Sequence, residues 1–259
     1  MIAISGMAWF MTLAWESMEG PGIAGVSAVY ATVFVMAGRT LWRQNFKIPG
    51  GLLFTLAVWM VPLIVYGIER TTGMWPQGDP GTYQDYHIWI KGSWIFMELG
   101  TILAGLLLIR FFRFPFITFP VAYALWYMSM DLTPLLLGRN DFDYDGRAYV
   151  SLLFGLLMIL AGFLIDRRTK KDFAFWTYLF GLIAFFCGLS FVGYHSVYYF
   201  LICLGLIFVS ILLGRRAFMI FGSIGVFGYL STPLRSGRND IGGVLCAFAS
   251  LREIFPGCS

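Results

Sequence analysis

Apolar residues run through this chain in long blocks, each interrupted by a short cluster of charge or of Pro and Gly. A bilayer core of about 30 Å needs roughly 20 apolar helical residues per crossing, and fewer when flanking side chains snorkel. Nine blocks meet that requirement: 1–15, 22–38, 50–68, 93–109, 116–137, 149–165, 173–192, 197–213 and 217–230. The first and last are short, so eight to ten spans are expected. Their length predicts helices, because a strand crosses in about ten alternating residues. The expected fold is all-α: a polytopic transmembrane helix bundle over residues 1–230, forming one domain.

The connections carry an independent pattern. Lys and Arg concentrate on the cytoplasmic side of short loops. The loops after the second, fourth, sixth and eighth blocks hold Arg39, Arg43, Lys47, Arg110, Arg113, Arg167, Arg168, Lys170, Lys171, Arg215 and Arg216, against Asp166 and Asp172 only. The opposite loops hold Arg70, Lys91, Arg139 and Arg147 with nine acids, among them Glu69, Asp131, Asp141, Asp143 and Asp145. This alternation places the N-terminus in the cytoplasm and the acidic loops outside. With an odd number of spans, the C-terminal tail is external. Met1–Trp15 lacks a basic leading segment and reads as a span rather than a secretory signal. Short cytoplasmic loops without a soluble domain point to a bacterial inner membrane.

Composition agrees. Charged residues make up 12% of the chain, about half the usual quarter, and apolar residues 59%. That excludes a soluble enzyme and a disordered hub. The net charge of +4 follows from the loop asymmetry and implies no nucleic-acid partner. The expected partners are the lipid bilayer and either another membrane protein or a second copy of the chain.

Polar residues inside spans are where chemistry is expected, since they are costly there. Glu98 is a carboxylate well inside a block, about 8 Å below the outer interface at 1.5 Å per residue. A charged carboxylate at such depth must be protonated, paired or in contact with water. Glu98 shares a helical stripe with Trp94, Thr101 and Gly105. Tyr123, Tyr127 and Asp131 form a second stripe, and Thr55, Trp59, Pro62 and Tyr66 a third that ends at Glu69 and Arg70. All three become more polar toward the outside. They predict either an outward-opening cavity, with Glu98 deepest and Asp131 at the mouth, or a buried network in which Tyr hydroxyls satisfy the carboxylates. The loop Glu69–Gly92 reads as an interfacial loop or as a lid over such a cavity.

Other signals are less specific. Asp141, Asp143, Asp145 and Gly146 have the DxDxDG order of a calcium loop, but Leu152 stands where the closing Glu belongs. A solvated acidic turn is the plainer reading. His87, His195 and Asp131 share the external side without metal-ligand spacing. Gly222, Gly225 and Gly228, Gly100 with Ala104, and Ala24 with Ala28 predict close helix packing. Cys187 and Cys203 lie within spans as small apolar residues, and Cys246 and Cys258 have no zinc spacing. With no Walker loop, no GxSxG elbow, no HExxH and no dinucleotide fingerprint, no cofactor is expected.

Three stretches carry a resemblance: GGLLFTLAVWMVPLIVYGIER, WIKGSWIFMELGTILAGLLLIRFFRFPFITFPVAYALWYMSMDLTP and DRRTKKDFAFWTYLFG. Through them the chain resembles uncharacterised predicted bacterial polytopic membrane proteins with a domain of unknown function (2157-like). The likeness spans roughly residues 1–230 and implies a helical bundle, with no activity or site residue attached. After Leu230 the pattern departs. Residues 231–259 form an atypical tail, read either as a truncated or frame-altered terminus or as a short external segment. Three functions stay open: a small-solute or proton-coupled transporter or channel, a non-catalytic subunit or assembly factor of a membrane complex, and an enzyme acting on lipid-linked substrates through Asp131, Glu98 and His87.

Overall fold

The computed structural model describes residues 20–74, 93–137, 144–169, 171–193 and 197–235. Among the described residues every regular element is helical. In chain order they are α1 (Gly20–Arg43), α2 (Lys47–Trp59), α3 (Val61–Thr72), α4 (Ser93–Phe111), a 3-10 turn (Pro115–Ile117), α5 (Thr118–Leu137), α6 (Tyr144–Arg168), α7 (Phe175–Gly193), α8 (Val197–Leu213) and α9 (Arg216–Arg235). Each apolar block from 22 to 230 falls on helix; the block at 1–15 lies outside the described residues. Among the described residues four stretches are long and apolar enough to cross a membrane: Gly20–Arg43, Lys47–Thr72, Trp94–Phe111 and Ala148–Arg168.

Two boundaries differ from the sequence reading for local reasons. The block at 50–68 lies on one candidate span, Lys47–Thr72, made of α2 and α3 joined at Met60, which keeps helical angles. Pro62 lacks the N–H that would bond Val58, and its ring crowds that carbonyl, so the helix breaks there. The pair also runs farther, to Thr72, and ends at Gly73 in the left-handed conformation (φ 70°). The last helix continues past Leu230 to Arg235, five residues of helix into what reads as tail. The rest of that tail lies outside the described residues.

The helices gather into two compact units. The first contains α1–α4, α5 as far as Leu132, and the segment Ile165–Thr177. Here α1 lies along both α2 and α3, and small residues set the spacing. A Cβ on Gly67 would stand 2.6 Å from the Ala24 nitrogen and 2.7 Å from the Gly20 carbonyl. Near the other end of α1, a Cβ on Gly50 would stand 2.9 Å from the Gly38 carbonyl, and the Phe54 ring covers Gly38. Phe54, Val58 and Ile117 are fully buried there, with Trp42, Phe112 and Phe114 packed around them. The Phe54 and Phe112 rings stack at 4.0 Å. The α1–α2 corner turns through Asn45 in the left-handed region (φ 66°), which Asn adopts more readily than most residues.

The second unit holds the remainder of α6 and α7 with α8 and α9. Glycines again let backbones meet: Gly155 and Gly181 between α6 and α7, Gly188 against Ala148 and Leu152, and Gly222 of α9 against Cys203 and Ile207 of α8. Tyr178, itself buried, meets Phe218 edge-on at 5.3 Å. The small residues at positions 24, 100, 222 and 225 thus serve packing within the chain, as their spacing predicts. Outward faces stay apolar. Leu153, Leu156, Leu157, Leu160 and Leu164 of α6 are all exposed. A water-facing surface seldom tolerates such a strip, whereas lipid does.

Candidate functional site: buried carboxylates on neighbouring helices

The first unit buries two carboxylates. Glu98 on α4 is 6% exposed, as its depth in the sequence predicts, and Glu69 on α3 is 4% exposed. The sequence reading places Glu69 both at the end of the third stripe and among the acids of the external connections; the structure puts it on the helix. Because α3 runs on to Thr72, position 69 is still helical. It falls one turn after Tyr66, on the buried side of α3, while Ile68 points outward. The signal was present as the three-residue step from Tyr66 to Glu69. What hid it was the assumption that the span ends at its last apolar residue.

The two helices are antiparallel neighbours. Gly100 of α4 packs against Val61 and Val65 of α3, and Gly105 lies near Val58 of α2. Counting from the Gly100–Val65 contact, Glu98 is two residues and Glu69 four residues toward the same end. At 1.5 Å per residue, their Cα atoms differ in level by about 3 Å. Among the described residues, neither carboxylate oxygen of Glu69 has a hydrogen-bond partner. A buried polar atom left in that condition costs about 1–3 kcal/mol, and more if charged.

Two of the predicted stripes meet near Gly105, about 10 Å along α4 from Glu98. Glu98, Thr101 and Gly105 share a buried face of α4, and Gly105 touches Val121 of α5. Seven residues outward from that contact on both helices, about 10 Å, Glu98 comes level with Tyr127 and Ser129. Trp59 from the third stripe packs on Tyr123 with ring centroids 5.1 Å apart. Tyr123 and Tyr127 lie 4.9 Å apart with a hydrogen bond between their side chains. Tyr66 is buried. The Thr hydroxyls are turned inward on their own helices: Thr101 donates to the Met97 carbonyl at 2.7 Å and Thr55 to that of Gly51 at 3.0 Å. Such back-bonding satisfies a hydroxyl without a neighbour or water.

The side chain of Asp131 lies outside the described residues, although its backbone is in α5. Asp141, Asp143, His87, His195 and the side chain of Asp145 also lie outside them. Among the described residues no three His, Cys, Asp or Glu side chains gather as metal ligands. The chemistry available in the described site is that of carboxyl groups in apolar surroundings: taking up and releasing a proton, or holding a small cation. Comparison with known proteins returns no matching family profile, no matching curated protein and no matching solved structure.

Proposed function

We propose that the chain is a multi-pass inner-membrane protein that moves protons, alone or with a small solute, along the seam of α3, α4 and α5. The observation that carries this reading is the burial of Glu69 without a hydrogen-bond partner among the described residues, level with buried Glu98 on the next helix. A carboxyl group in that position gains nothing for the fold, and proton binding is what it does well. Nine spans, a cytoplasmic N-terminus and an outward mouth near Asp131 complete the proposed architecture. So does kinship with the uncharacterised bacterial membrane proteins that the chain resembles. The test is an imposed pH gradient across liposomes holding the full chain, read with a trapped pH-sensitive dye. The parent chain is expected to dissipate the gradient faster than protein-free liposomes. Glu98→Gln is expected to slow that flux at least about tenfold, a barrier rise of about 1.4 kcal/mol. Flux unchanged in Glu98→Gln overturns the reading.

A second reading, as subunit of a larger membrane complex, is favoured by one feature. An open apolar groove on α1, lined by Ala28, Val29, Thr32 and Val33, lies beside Gly25, where an added Cβ would meet nothing within 4 Å among the described residues. A second polypeptide at fixed stoichiometry in native mass spectra of the gently extracted protein would decide for it.

A further inference from the structure

The first unit ends in a ring of cations set around its aromatic core. Arg43 closes α1 and Lys47 opens α2, and Arg39 precedes Arg43 by one turn. Between Arg43 and Lys47 and the end of α4, the Trp42 ring meets Phe112 edge-on at 5.7 Å and Phe54 at 6.0 Å. Arg110 and Arg113 bracket that same Phe112, and the Phe114 ring covers Gly51 of α2. Lys171 joins from the other side, its Nζ donating to the Arg113 carbonyl at 3.4 Å. The five arginine and lysine side chains at 39, 43, 47, 110 and 113 are all exposed. Among the described residues none of those five makes an ion pair with a carboxylate. The described acids of this end of the unit, Asp166 and Asp172, have interactions of their own.

Large apolar side chains stand beside the cations. Phe46 is 58% exposed, Ile48 70% and Phe111 68%. Exposed guanidinium and ammonium groups next to exposed Phe and Ile match one partner in two respects. That partner is a phospholipid with an anionic headgroup, whose phosphate oxygens accept from the cations while its chains lie along the apolar residues. Arg forks suit phosphate oxygens in particular. We infer that this end of the first unit is a docking surface for an anionic phospholipid, formed jointly by the α1–α2 corner, the end of α4 and Lys171. The inference rests on the membrane reading but not on transport.

The test uses the full chain in detergent, with phosphatidylglycerol or phosphatidylcholine added and retained lipid counted by native mass spectrometry. Phosphatidylglycerol is expected to be retained in preference, and the preference to shrink as salt rises. Each cation near an anionic surface is worth about a fivefold change, so Arg43→Gln with Arg113→Gln is expected to cut phosphatidylglycerol affinity about thirtyfold. Phosphatidylcholine binding should not move. The Arg43→Lys/Arg113→Lys variant is expected to keep most of the preference, and Arg216→Gln, in the second unit, all of it. Equal retention of the two lipids by the parent chain overturns the inference and leaves the membrane reading intact. An equal loss in Arg216→Gln overturns it as a site and leaves only diffuse charge. Retention of no lipid at all would overturn both.

Discussion

A leucine at position 155 is expected to cost the protein about 3 kcal/mol or more, enough to leave much of it misassembled. The Gly155 Cβ position is already occupied by the α7 backbone: Phe185 Cα would be 2.7 Å away, the Gly181 carbonyl 2.8 Å, and the Phe185 nitrogen closer still. Where the obstacle is a flexible side chain, a rotamer change absorbs the clash. Where it is backbone, the two helices must part, and every contact along α6 and α7 loosens with them. In a bilayer this matters more, since apolar side chains gain little by leaving lipid and close packing is the main attraction between helices. Gly205 supplies the internal comparison, because a Cβ there meets nothing within 4 Å among the described residues. Gly205→Leu should stay within about 0.5 kcal/mol of the parent chain. Thermal unfolding of both variants in detergent checks the contrast. A Gly155→Leu protein as stable as Gly205→Leu would show that the α6–α7 contact is not as close as described.

Glu69→Leu is expected to act in the opposite direction on stability and to abolish proton movement. Leucine is slightly larger than the carboxyl side chain and removes two buried oxygens that have no hydrogen-bond partner among the described residues. Replacing such a group by a well-packed apolar one is worth about 1–3 kcal/mol in favour of the fold. Flux through liposomes should at the same time fall at least about tenfold. A side chain whose loss stabilises the protein and stops its activity is kept for the activity. If Glu69→Leu instead lowers stability by more than about 1 kcal/mol, the carboxyl group holds the structure together and the transport reading loses its main support. Glu69→Gln separates charge from shape. It keeps the volume and the polarity but cannot exchange a proton, so it should fold like the parent chain and be as inactive as the leucine variant.

How much of this was legible in the sequence depends on the scale of the signal. Apolar blocks of 14 residues or more are long enough to outvote local noise, and all those from 22 to 230 became helices. Small residues at helical spacing likewise announced contacts that the backbone then made, as Gly100 did with Val61 and Val65. Glu98 was legible because a carboxylate flanked by apolar turns has few places to be. Glu69 was not, because hydropathy ends a span at its last apolar residue, whereas the helix ends where Gly73 turns the backbone. The break at Met60 was hidden for a related reason: Pro62 marks a weakness, but whether a helix kinks or stops there depends on what packs against it. The meeting of Trp59 with Tyr123 is a matter of how three helices associate, and no periodicity within one helix contains it.

The account stands on the two carboxyl groups lying within the helix seam, away from water. Carbodiimides test this directly, since they modify carboxyl groups that carry a proton and can be chosen to dissolve in lipid or in water. Native membranes holding the parent chain would be treated with each reagent, and modified residues located by peptide mass spectrometry. Exposed Asp172 serves as the internal reference. The account predicts that the lipid-soluble reagent modifies Glu69 and Glu98, while the water-soluble reagent modifies Asp172 and spares both. Modification of Glu69 by the water-soluble reagent at the rate of Asp172 would contradict it.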